Sequence, residues 1–311
     1  MYKSRLGIWG GAVSVIVCII LCIKLFTWIG TDTSQTYNLY CHTPDNVLKT
    51  AITNVGGDYR FNLYDSKEDA EIIMQPSSDE VIAGYSKYSN YVYTPLVLFA
   101  RSTCLNNDSG FTVLNGNSSN STAYKDLLII LEAMEEGKTY EDIGINKKTA
   151  TGEVKLAIPS KTSVYYSYVE ELFYVTLNNG EIPTEAEKTS LKTRVDDLLK
   201  ECIKVEDIGA KIIELYEKDS KEYTLFIGPE CIITRNKYAF NTTNDDAWCS
   251  VYLNYTVPYS YDLFVKTDNK ETLLNAFSKG KFSSVTGYRV YNTDNIASTY
   301  NHTISNITFA K

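Results

Sequence analysis

Histidine occurs only twice in the 311 residues, at His42 and His302. That scarcity argues against a histidine-built metal site and against a serine-type catalytic triad. His42 adjoins Cys41, but neighbours on a strand project to opposite faces, which argues against a thiol–imidazole pair there. Cysteine is thinly spread as well. Of seven, five follow residue 30 (Cys41, Cys104, Cys202, Cys231 and Cys249), and none shows the CxxC spacing of a zinc site. There is no glycine-rich phosphate loop, since Gly56-Gly57 reads as a turn, and no internal repeat. No cofactor is expected. Nor does a nucleophile–base pair or carboxylate dyad emerge, so an enzyme is not expected either.

What the chain does have is one long apolar run. Residues 6–23 (LGIWGGAVSVIVCIILCI) contain no charge, and Lys3 and Arg5 lie just before them. The run is long enough for a membrane-spanning helix, extended to Ile29 if Lys24 snorkels to the interface. Positive charge ahead of the run keeps the N-terminus in the cytoplasm and places everything after Gly30 outside. A cleaved signal peptide is the alternative. Against it, the run exceeds an ordinary signal core, and no small-x-small site follows before Thr31. Val17 before Cys18 and Leu21 before Cys22 do not suit a lipoprotein signal. Residues 1–30 are therefore read as a cytoplasmic stub and signal-anchor, contacting the membrane through residues 7–29, with a linker over 31–36.

The whole chain carries a net charge of −8, and residues 1–30 hold Lys3, Arg5 and Lys24 but no acid, so the external part carries −11. Such an acidic domain is a poor partner for nucleic acid or anionic lipid. Seven N-x-S/T sequons (Asn107, Asn117, Asn120, Asn241, Asn254, Asn301, Asn306) occur in a chain already rich in Asn, Ser and Thr, and they do not settle its source.

Strand and helix signals alternate after the linker. Tyr37–Cys41, Tyr59–Tyr64, Glu71–Met74, Tyr93–Ala100, Lys155–Ile158, Tyr223–Ile227 and Val251–Val257 read as strands. Pro95 confines the start of its strand to an edge or a crossover. The apolar stripe Val47, Leu48, Ala51, Ile52, Val55 reads as a helix opened by Pro44. Further helices cover Leu127–Met134, the stretch after Ser163 to about Leu177, and Ile208–Tyr216. Thr184 and Glu187 form a capping box for another carrying Leu191, Val195, Leu198 and Cys202. Leu273–Phe277 starts the last helix, and Ser102–Ala123 is a surface loop. This alternation predicts an α/β fold with mostly parallel sheets.

The order of these segments resembles the bacterial extracellular solute-binding proteins of the type II periplasmic-binding-protein fold. More narrowly, it looks like the substrate-binding-like domains joined to von Willebrand factor A domains. The likeness is carried by Tyr37–Pro44, Asp69–Ser78 (DAEIIMQPSS), Tyr93–Ala100, Leu127–Ile145, Gly152–Ser163 (GEVKLAIPSKTS), Val251–Phe264 (VYLNYTVPYSYDLF) and Phe282–Arg289 (FSSVTGYR). It implies a two-lobed ectodomain behind a single N-terminal transmembrane helix. Lobe one would be residues 36–98 and 252–311, and lobe two 99–251, with a ligand in the cleft between them.

In that family the ligand is met by hydroxyls and amides at helix N-termini. The matching positions here are Thr43, Ser77, Ser78, Thr162 and Ser163, all of types that also serve as ordinary caps. Tyr40, Tyr165, Tyr259 and Tyr261 lie near the same turns, placed to stack on a sugar or aromatic ligand. No arginine adjoins these positions in sequence, so the expected partner is a small, neutral or singly charged polar solute. A membrane transport or signalling complex is a further expected partner. The alternative is a two-lobed surface interaction or structural protein that has lost ligand binding. A Cys231–Cys249 disulfide is expected, because the pair flanks the segment between the lobe-two strand and the return crossover.

Overall fold

Strand β4, Tyr85–Arg101, changes partners halfway along its 17 residues. Up to Pro95 it pairs with β11 (Pro258–Lys266) in one sheet, and from Leu96 onward with β9 (Leu225–Pro229) in a second. Proline marks the switch on each side. Pro95 faces Pro258 and Leu96 faces Pro229 in register, and none of the three prolines has an N–H for the ladder.

This computed structural model describes residues 35–43, 48–49, 52, 59–101, 112–114, 122–125, 127–145, 150–220, 225–236, 238–240, 247–266 and 288–290. The expected anchor 1–30, Cys104, six of the seven sequons, the turn at 56–57 and the helix at 273–277 lie outside these residues. Among the described residues no helix is long and apolar enough to cross a membrane.

The first sheet runs β2 (Tyr59–Tyr64), β1 (Gln35–Cys41), β3 (Ile72–Pro76), β11, β4, with β12 (Arg289–Val290) on the far side of β4. The second runs β8 (Ile203–Val205), β7 (Leu156–Pro159), β9, β4, β10 (Trp248–Leu253), β6 (Thr122–Lys125), β5 (Thr112–Leu114). The two repeat one plan: second, first and third strands in parallel, then an antiparallel strand arriving from the other sheet, then the fourth. The expectation of mostly parallel sheets is thereby corrected to mixed ones. The strand that reaches each sheet from the other runs antiparallel to both its neighbours there, and the outer strands β12 and β5 are antiparallel to theirs as well.

Among the described residues four helices flank the second sheet: α1 (Leu127–Glu135), α2 (Tyr166–Leu177), α3 (Glu185–Glu201) and α4 (Ile208–Glu217). Leu127, Ile130, Leu131 and Met134 of α1 repeat at helical spacing and are buried. Burying each such side chain contributes about 1.5–3 kcal/mol. The capping box at the start of α3 forms as read, with Glu187 N–H to Thr184 Oγ1 at 3.4 Å and Thr184 N–H to Glu187 Oε2 at 2.7 Å. Strand β9 is buried along its whole length, as an apolar run between two neighbouring strands requires. Leu48 and Ile52, both helical, are fully buried against the first sheet.

The expected Cys231–Cys249 disulfide does not form. Both cysteines are buried thiols outside any disulfide, as are Cys41 and Cys202. Cys231 follows β9 and Cys249 lies on β10, on opposite sides of β4. Cys231 donates its N–H to Thr94 Oγ1 at 3.1 Å, whereas Cys249 faces Ala100, six positions further along β4; at about 3.3 Å per residue that is beyond the reach of a disulfide. Instead, Cys249 Sγ donates to Ala100 O at 3.3 Å.

Candidate functional site

The carboxyl ends of β1, β3, β7, β8 and β9 carry the polar residues that sequence reading singled out, together with several that it missed. At the end of β1, Thr43 Oγ1 lies 2.7 Å from the Tyr261 hydroxyl on β11. After β3, Ser77 donates its N–H to Ser260 O at 3.0 Å, while its buried hydroxyl has no partner among the described residues. Ser78 donates its N–H to Asp262 Oδ2 at 3.1 Å and accepts from Glu80 N–H through its hydroxyl at 3.3 Å. Its carbonyl accepts from Lys87.

Asp262 is a buried carboxylate with a complete set of donors. Asn90 N–H reaches Oδ1 at 2.9 Å, while Ser78 N–H and Lys87 Nζ, the latter at 3.0 Å, meet Oδ2. The β11–β4 register shifts between Tyr261 and Leu263, and Asn90 on β4 sits there with φ of 53°. Asparagine tolerates that left-handed conformation better than most residues. The chain's own carboxylate therefore occupies the Ser78 amide.

On the second sheet, Thr162 and Ser163 follow β7. Thr162 Oγ1 donates to Glu206 Oε2 at 2.8 Å, and Ser160 Oγ reaches the same oxygen at 2.9 Å. These hydroxyls, Thr162 first, hold the exposed Glu206 carboxyl below its ordinary range. Ser163 Oγ accepts from Tyr165 N–H at 3.3 Å. Next to it, Asp207 caps α4 by accepting from Ala210 N–H at 3.0 Å and pairs with Arg235 Nη1 at 2.6 and 2.7 Å. Partial burial raises Asp207, but Arg235 and the helix-terminal amides outweigh it and keep the group acidic.

A small open pocket of about 100 Å³ lies here, walled by Pro159, Pro229 and Ile232 and edged by Ser163, Glu206 and Arg235. The expectation that no arginine adjoins these positions is corrected, since Arg235 reaches the pocket from the 3-10 turn Glu230–Arg235. Its charge is balanced by Asp207.

Aromatic rings join the two sets of strand ends. Tyr261 lies 5.2 Å from Tyr259, and Tyr259 lies 5.0 Å from both Tyr165 and Tyr168, edge to face in each case. Tyr165 also lines the pocket. A continuous path thus runs from Thr43 through Tyr261, Tyr259 and Tyr165 to Ser163. Tyr40 stands apart from it, stacked beside His42 at 6.4 Å. Sequence reading missed Ser160, Glu206, Arg235, Tyr168 and Asp262. Of these, only Glu206 had a local signal, its position just before the Asp207 cap.

No protein-family model and no curated protein matches the chain. Among solved structures it is similar to an ABC transporter from Clostridium perfringens, at 8% identity over 88% of this chain and 93% of that one, with a TM-score of 0.44. The bacterial solute receptor AcbH, whose substrate preference is for β-D-galactopyranose, matches at 10% identity over 80% and 74%, with a TM-score of 0.44. The Trichodesmium protein IdiA (FutA), solved with iron and citrate, matches at 12% identity over 79% and 80%, with a TM-score of 0.39. With every TM-score below 0.5, these are distant likenesses. The architecture above rests on this chain's own strand pairing.

Proposed function

We propose that the chain is a membrane-anchored extracellular solute-binding module of the type II periplasmic-binding-protein kind, with a small polar solute held between two lobes built on the two sheets. The observation that carries this reading is the path from Thr43 to Ser163, which links the carboxyl ends of both sheets. In α/β folds such strand ends are where ligands are met. Thr43, Ser77 and Ser78 would face the solute from one lobe, and Thr162 and Ser163 from the other. Ser160 and Glu206 would stand behind the second set. Asp262 already engages the Ser78 amide and Asp207 balances Arg235, which favours a neutral or singly charged polar solute over a dianion. Binding rather than catalysis is the proposed role.

One observation favours the second reading, a two-lobed surface interaction or structural protein without a ligand. Tyr259 of the first sheet packs its ring directly against Tyr165 and Tyr168, so the chain's own side chain stands between the two sets of strand ends. Thermal unfolding across sugars, amino acids and oxyanions separates the two. A concentration-dependent rise in Tm with one neutral solute supports the first, and no rise with any supports the second.

A further inference from the structure

Tyr259 belongs to β11 in the first sheet, yet its ring is packed by residues of the second. It is 3% exposed, with Tyr165 and Tyr168 each 5.0 Å away and inclined at 72°. Those two stand three residues apart at the start of α2, which places them on one helix face. Tyr165 occupies the N-cap position but makes no capping bond through its side chain. Behind Tyr259, Tyr261 is fully buried and fixed to Thr43 by the 2.7 Å hydroxyl contact. The covalent links between the sheets are β4 and the segment joining β10 to β11. Rotation about those links would draw Tyr259 out from between Tyr165 and Tyr168.

We propose that Tyr259, gripped by Tyr165 and Tyr168, is an aromatic latch that holds the two sheets' strand ends together before any solute arrives. This rests on the solute-binding reading given above and concerns the regulation of that site. A solute then enters only from the fraction of molecules in which the latch is open, and its apparent affinity is reduced by that fraction. A ring-bearing polar solute would replace Tyr259 as the stacking partner of Tyr165 and Tyr168. Tyr261 stays with the first sheet throughout, because its hydroxyl partner, Thr43, moves with it.

Cys231 supplies a built-in probe. It is 1% exposed and belongs to the same buried cluster as Tyr259, whereas Cys202 and Cys249 lie in the core of the second sheet. The test is the rate of iodoacetamide labelling at each thiol, read by peptide mass spectrometry on the full chain in lipid nanodiscs without solute. Tyr165→Ala and Tyr259→Leu should each raise Cys231 labelling about tenfold or more while Cys202 and Cys249 stay unchanged. Tyr165 is only partly buried, so Tyr165→Ala decides the matter if Tyr259→Leu fails to fold. An unchanged Cys231 rate in Tyr165→Ala overturns the latch, and so does an equal rise at all three thiols. If no solute raises Tm, the solute-binding reading fails while the labelling result still decides the latch.

Discussion

Thr256 donates its hydroxyl to the carbonyl of Leu96 at 2.6 Å, tying together the two segments that cross between the sheets. Both residues are essentially buried, and Leu96 faces Pro229 in register, which has no N–H to offer it. Thr256→Val keeps the shape but removes the donor, leaving a buried carbonyl unpaired. We expect a loss of about 1–3 kcal/mol in chemical unfolding, with the denaturant slope unchanged.

Alkaline pH should unfold the protein through its buried phenols and thiols. Burial, then the neighbouring Tyr168, pushes Tyr259 up to about 12, and burial does the same to Tyr91, Cys41 and Cys202. In the unfolded chain these groups ionise from about pH 9 to 10. A raised folded-state pKa gives stability that is fully present below the unfolded value and lost as pH rises through the folded one. Tm should therefore hold up to about pH 9 and fall steeply towards pH 12. Tyr259→Phe should fall less over the same range, as measured by calorimetry.

Cys41, Cys202, Cys231 and Cys249 should all titrate as free thiols when the unreduced protein is denatured. Mass spectrometry after alkylation in denaturant checks this at each position. A bridged Cys231–Cys249 peptide would mean that β4 does not lie between β9 and β10.

The reading of residues 6–23 as an anchor predicts that protease added to intact cells removes the external domain and leaves a fragment of a few kilodaltons in the membrane. Recovery of a soluble chain beginning near Thr31 would contradict it.

Local signals carried the helices and many strands. The capping box at Thr184 and Glu187 and the apolar spacing of α1 depend on neighbours within a turn or two, and both were legible. The first half of β4 was not. Tyr85–Tyr91 is half-buried except at the exposed Ser89 and mixes Ser, Lys and Asn with tyrosine, so it shows no period-two alternation. The site was legible in part for the same reason. Thr162 and Ser163 stand at a readable strand-to-helix turn. Glu206, the partner of Thr162, is reached only through the β7–β8 pairing, and Arg235 only through a salt bridge to Asp207 across 28 positions. The disulfide expectation failed on topology, since closeness in sequence says nothing of a third strand inserted between two others.

Isothermal titration calorimetry tests the solute-binding account most directly, using whichever neutral sugar or amino acid most raises Tm, with the unsubstituted chain and Thr162→Val compared. Thr162 holds Glu206 at the pocket edge, and removing its hydroxyl should weaken binding about five- to a hundredfold, roughly 1–3 kcal/mol. Saturable one-site binding to the unsubstituted chain and that loss in Thr162→Val are the predicted result. Equal affinity in the two proteins, or no heat of binding from any solute, would contradict the claim that these strand ends form a ligand site.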